Sequence, residues 1–128
     1  MIVEYYPLEG EEGRIEKFIR KDLEKRKDLK KLVETFLDKL RISVSLQVFI
    51  DTEQISFLET VSMNKGKEKT RLGELRIPKT KNGGVVRIYF IVNTFNSSKI
   101  LLLDGEIKHK TKPKIIGLVK SIVNKISY

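Results

Sequence analysis

The period of the apolar positions changes along the chain, and each change marks an element. Ile2, Val3, Tyr5 and Tyr6 are β-prone and stop at Pro7, which predicts a first strand over Met1 to Pro7. From Arg14 the apolar residues Ile15, Phe18, Ile19 and Leu23 recur at helical spacing, and the four charges Glu24 to Lys27 then interrupt them. The pattern resumes in a new phase at Leu29, Leu32, Val33, Phe36, Leu37 and Leu40, with Asp28 as a candidate N-cap. One long helix fits, but the phase shift favours a helical hairpin that breaks near Lys27. Ile42 to Ile50 alternates apolar and polar residues, which reads as a strand or as a continuation of the preceding helix. Ile55 to Met63 is open to the same two readings.

The second half is plainer. Asn64 to Thr70 is a charged loop with one glycine, and strands are predicted over Arg71 to Ile77, Val85 to Asn93 and Lys99 to Lys108. The turn-forming runs KTKNGG and TFNSS separate them, so the three strands form an antiparallel meander. Pro113 suits the first turn of a last helix, whose apolar residues Ile115, Ile116, Val119, Ile122, Val123 and Ile126 follow the helical repeat. The expectation is a single α+β domain over residues 1–128. It has a small antiparallel, mixed-edge sheet packed on an N-terminal helical hairpin, with a C-terminal helix and the helices on one sheet face.

Composition narrows the chemistry. At 40% hydrophobic and 34% charged residues the chain is too apolar for disorder throughout. With no cysteine it has neither a disulfide framework nor a Cys-based metal site, and its single histidine builds no His cluster. It carries no phosphate-binding glycine loop and no serine or cysteine nucleophile motif, and no cofactor is expected. The acidic start MIVEYYPLEGEEG is unlike a signal peptide, and no apolar run approaches a membrane span. A cytoplasmic location without a membrane partner is the expectation.

The net charge of +9 is concentrated in two segments. Asn64 to Arg87 carries Lys65, Lys67, Lys69, Arg71, Arg76, Lys79, Lys81 and Arg87 against Glu68 and Glu74, giving +6. Glu106 to Lys114 carries Lys108, Lys110, Lys112 and Lys114 against Glu106, giving +3. The other 14 basic and 14 acidic residues cancel. Such concentration suits a polyanion-binding face, and a meander lets both segments border one concave surface.

The register of the central hairpin follows from its buried face, because a one-residue slip reverses every side chain. Pointing Leu75, Ile77, Val86, Ile88 and Phe90 at the core pairs Leu75 with Ile88 and Ile77 with Val86. Arg76 then lies opposite Arg87, and Glu74 opposite Tyr89, on the other face. Like charges directly opposed are destabilising. Such a pair means either a wrong register or a face that awaits an anion; the plainer reading is that Arg76 pairs with Glu74 or another acid and Arg87 is solvated.

These strands carry a resemblance. The run Leu72, Gly73, Glu74, Leu75, Arg76, then Val86, Arg87, Ile88, Tyr89, Phe90, then Asp104, Gly105 and the basic segment Lys108 to Pro113, resembles the RelE/ParE toxin superfamily. The likeness is closest to its HigB-like, phage-derived branch and covers the last third to half of the chain. It implies a RelE-like fold and a toxin of a type II toxin–antitoxin system. Such a toxin is a ribosome-dependent, metal-independent messenger RNA endoribonuclease, so the expected partners are a cognate antitoxin, mRNA and the ribosome. The resemblance makes Arg87 the contact to the scissile phosphate and Arg76 a second guanidinium beside it. His109 and Lys110 become acid or base candidates, and Lys65, Lys67, Lys69, Arg71, Lys79, Lys81, Lys108, Lys112 and Tyr89 become RNA contacts. The chain departs from the family pattern at Gly73, where a tryptophan is usual, and at Glu106, where an aromatic is common. It also has no tyrosine early in the last helix. The rival readings are a non-cleaving ParE-like or degenerate toxin, and an unrelated basic nucleic-acid-binding module.

Overall fold

The computed structural model describes residues 1–78, 86–108 and 115–128. It has β1 (Ile2–Tyr5), α1 (Arg14–Lys21), α2 (Lys27–Ile42), α3 (Gln47–Asp51), β2 (Ile55–Met63), β3 (Glu68–Ile77), β4 (Val86–Val92), β5 (Lys99–Ile107) and α4 (Ile116–Lys125). The strands form one five-stranded mixed sheet in the order β1-β5-β4-β3-β2. β2 to β5 run antiparallel to their sequence neighbours, and β1 joins the edge parallel to β5. The fold is therefore α+β, as expected.

The predicted register is the observed one: Leu75↔Ile88, Ile77↔Val86, Arg76↔Arg87 and Glu74↔Tyr89. The reason is the burial assumed for the apolar side chains, since Leu75, Ile77, Val86, Ile88 and Phe90 are all inside the core. Between β4 and β5 the pairing passes from Tyr89↔Asp104 to Phe90↔Leu102, so Leu103 is an extra residue in a bulge.

One expectation about the helices is corrected. The helices do not share one sheet face. Ile15, Phe18, Val33, Leu37 and Phe49 from α1 to α3 pack on one face, while Val119, Ile122 and Val123 of α4 cover Val61, Leu72, Ile91, Leu101 and Leu103 on the other. A central strand as apolar as VRIYFIV needs covering on both sides. A hairpin of α1 on α2 is not shown. The chain does break between them, but α1 packs on β5 and β1, and α2 on β3 and β1.

The ambiguous middle resolves into two different elements. Ile42 ends α2, and the alternating stretch after it becomes the short helix α3 rather than a strand. Leu46 and Phe49 are its buried anchors, with Phe49 tilted against Phe36 at 5.3 Å between ring centroids. Ile55 to Met63 is a strand, β2. The charged loop predicted over Asn64 to Thr70 is shorter than expected, because β3 begins at Glu68. The turn before it uses positive φ at Asn64, Lys65 and Gly66.

Gly73 has a packing reason. A Cβ built there would lie 2.4 Å from the Phe90 ring, and Phe57 packs on that ring from β2 at 5.8 Å between centroids. The space beside Gly73 is thus filled by Phe90 and Phe57 from the two neighbouring strands. No helix among the described residues is long and apolar enough to cross a membrane.

Candidate functional site

The two arginines of the hairpin do face each other, and they are not left to repel. β3 contributes Glu74 and Arg76, β4 contributes Arg87 and Tyr89, and β5 contributes Glu106, on the sheet face that α4 packs against. Glu74 is only 1% exposed and sits between the guanidiniums. Arg76 Nε donates to Glu74 Oε1 at 2.7 Å. Arg87 Nη1 lies 3.5 Å from Glu74 Oε2, an ion pair without a hydrogen bond. Glu74 is diagonal to Arg87 because it is two residues before Arg76 on the same strand face.

The row continues across the sheet. Arg87 is paired directly with Glu106 of β5, and the Tyr89 hydroxyl donates to Glu106 Oε2 at 2.8 Å. Burial pushes the Tyr89 hydroxyl well above its usual range, and its bond to Glu106 adds to the effect. Tyr89 is fully buried, so its ring offers no face for base stacking and its proton is committed. Arg76 and Arg87 together with Glu74 and Glu106 carry no net formal charge.

The arginines differ in what they have left to give. Arg76 keeps 31% of its side chain exposed, Arg87 only 14%. Arg87 Nε is buried and has no hydrogen-bond partner among the described residues. A guanidinium offers five donors in a planar fork, so both arginines retain donor capacity beyond Glu74.

The remaining predicted residues fall in three places. Lys108 follows the end of β5, one residue beyond the Ile107↔Val86 pair, and so stands at the same end of the sheet as the arginines. Lys79, Lys81, His109, Lys110 and Lys112 lie outside the described residues. Lys65, Lys67, Lys69 and Arg71 are exposed at the opposite end, on and beside the β2–β3 turn. Along β3 the seven residue steps from Lys69 to Arg76 span about 23 Å. The side chains also divide by face, since Lys69 and Arg71 are out of phase with Glu74 and Arg76. The first basic segment is therefore two surfaces, and the single concave face expected from the charge count is not formed by these residues.

Sequence reasoning weighed Glu74 only as a partner for Arg76. The observed register, carried one step along the diagonal, brings it to Arg87 as well. Glu106 as the acceptor for Tyr89 and Phe57 beneath Arg71 had no sequence signal, because each depends on which strand lies next to which. Among the described residues no three His, Cys, Asp or Glu side chains gather as a metal site. The chain matches no family model, no curated protein and no solved structure.

Proposed function

We propose that the chain is a RelE-like toxin, an RNA endonuclease that holds the scissile phosphate with Arg87 and Arg76 and is held in check by a cognate antitoxin. The observation that carries the reading is the opposition of Arg76 and Arg87 across β3 and β4, fixed by a buried carboxylate between them. Glu74 removes the side-chain freedom of two long cations, so a phosphate meets a preformed pair. In the reaction the 2′-hydroxyl of the RNA loses its proton to a base and attacks the adjacent phosphorus. The 5′-oxygen leaves with a proton from an acid, giving a 2′,3′-cyclic phosphate and a 5′-hydroxyl. The guanidiniums take the charge that builds on the phosphorane oxygens. His109 and Lys110 are the proton-transfer candidates under this reading.

One observation favours a second reading, a toxin-fold or nucleic-acid-binding protein that does not cleave. The described part of the cluster is formally neutral, and its tyrosine is buried and committed to Glu106. Induced expression followed by mapping of messenger ends separates the two. Cleavage with growth arrest, lost in Arg76→Gln and Arg87→Lys variants that still fold, supports the endonuclease. Intact messages with retained, salt-sensitive RNA binding would refute cleavage and leave the binding protein.

A further inference from the structure

The helices α1 to α3 leave one strip of their sheet face uncovered, at the end of β2 and β3 farthest from the arginine pair. Thr60 pairs with Arg71 and Ser62 with Lys69, and all four are exposed. Their neighbours Val61, Met63 and Leu72 are buried under α4, so these four side chains belong to the opposite face. At the inner boundary of the strip, Phe57 is half-buried against the core, and the Arg71 guanidinium lies over its ring at 4.1 Å from the centroid.

We infer that this strip is a platform for a single-stranded nucleic acid. An arginine laid on an aromatic ring has lost most of its rotamer freedom and presents a flat cation, on which a nucleobase stacks without regard to its identity. Lys69 and Arg71 alternate on one strand face and so stand about 7 Å apart, a spacing that suits successive phosphates of an extended strand. Thr60 and Ser62 add hydroxyls that donate to or accept from ribose and phosphate oxygens. The arrangement offers two things that single-strand binders use, a flat π-surface on which a base stacks and a cation beside it. A second copy of this chain is disfavoured as the occupant, because it would bring the same positive charge to the contact.

The inference rests on the reading of the chain as a nucleic-acid-binding protein but not on cleavage, and its site is separate from Arg76 and Arg87. The test is fluorescence anisotropy with labelled oligo(U), oligo(dT) and an RNA hairpin duplex, for the wild type, Arg71→Gln, Arg71→Lys, Lys69→Ala and Arg76→Gln. All of these positions are solvent-accessible, and circular dichroism checks that each variant folds. Arg71→Gln is expected to weaken binding of the single strands at least about fivefold, the low end of what stacking on one base contributes. Lys69→Ala should lower the dependence of log K on log salt by about one phosphate contact. Arg71→Lys should keep that salt dependence and still lose affinity. Unchanged single-strand affinity in Arg71→Gln and Lys69→Ala would overturn the inference, as would equal binding of the duplex or equally effective competition by polyglutamate. If Arg71→Gln weakens binding and Arg76→Gln does not, the platform stands while the arginine-pair function falls. The converse result removes the platform alone.

Discussion

Replacing Glu74 by glutamine tests whether the buried carboxylate holds the arginine pair together. The substitution preserves shape and one acceptor, which stays with Arg76 Nε at 2.7 Å as the shorter contact. It removes the charge and turns an NH2 toward Arg87. The loss has two parts. Exchanging a charge-assisted hydrogen bond for a neutral one costs about 1 kcal/mol. Leaving Arg87, 14% exposed, without its diagonal counter-charge costs more. Breaking a fully buried pair costs about 3–5 kcal/mol, but Glu106 stands directly opposite Arg87 and Arg76 is exposed enough to recover water, so a smaller cost of about 1–3 kcal/mol applies. The expected total is about 2–4 kcal/mol.

Urea unfolding followed by far-UV circular dichroism reads this as a lower midpoint at unchanged slope. With a slope of about 1.5 kcal/mol/M, the midpoint falls by roughly 1.5–2.5 M. The control is Glu12→Gln, which breaks the exposed Arg20–Glu12 pair and should not move the midpoint measurably. A third protein, with Glu74→Leu, Arg76→Met and Arg87→Met together, should return to within about 1 kcal/mol of wild type, since apolar groups of similar volume need no counter-charge. It should also lose RNA binding at that end of the sheet. If Glu74→Gln matches the Glu12→Gln control, Glu74 is not holding the arginines and the preformed phosphate site loses its basis.

Other outcomes follow from single contacts. Gly73→Ala places a methyl against the buried Phe90 ring and should cost about 1–3 kcal/mol in urea unfolding; no change would mean that the ring is free to move aside. Tyr89 and Tyr128 both have hydroxyls pushed above the ordinary tyrosine range, chiefly by burial and then by hydrogen bonds to Glu106 and Glu4. A raised folded pKa gives stability that is intact below the unfolded value near 10 and is lost as pH rises beyond it. The protein should therefore weaken above about pH 10, and tyrosinate absorbance from these two residues should appear only with unfolding. Tyr128→Phe should flatten that alkaline loss, as measured by thermal melts across pH 9 to 11 (roughly).

How much was legible depended on whether a signal was local or set by neighbours. The register of β3 on β4 was legible because Leu75, Ile77, Val86, Ile88 and Phe90 have only one placement that buries all of them. The same apolar richness should have shown that the other face is buried as well: Tyr89 and Ile91 lie between those core residues and need α4 above them. The stretch after Ile42 misled because its alternation is short, and two buried anchors, Leu46 and Phe49, are enough to hold one helical turn.

The charge count misled for a deeper reason. Charge summed along a sequence becomes charge on a surface only when the segment is shorter than the element that carries it. Asn64 to Arg87 contains a turn, a ten-residue strand and the start of the next, so its described cations are delivered to both ends and both faces of the sheet. At one end Arg76 and Arg87 meet Glu74 and Glu106, and these four charges cancel. At the other, Lys69 and Arg71 share a face with Thr60 and Ser62, and the excess survives in the open. The residues most suggestive in sequence, the opposed arginines, are thus the more neutralised pair. Lys69 and Arg71, open to a polyanion, sit at the other end of the sheet beside a lysine-rich turn. If RNA binding is lost with Arg71 and Lys69 and kept without Arg76, the surface excess and not the arginine pair is what the net charge of +9 serves.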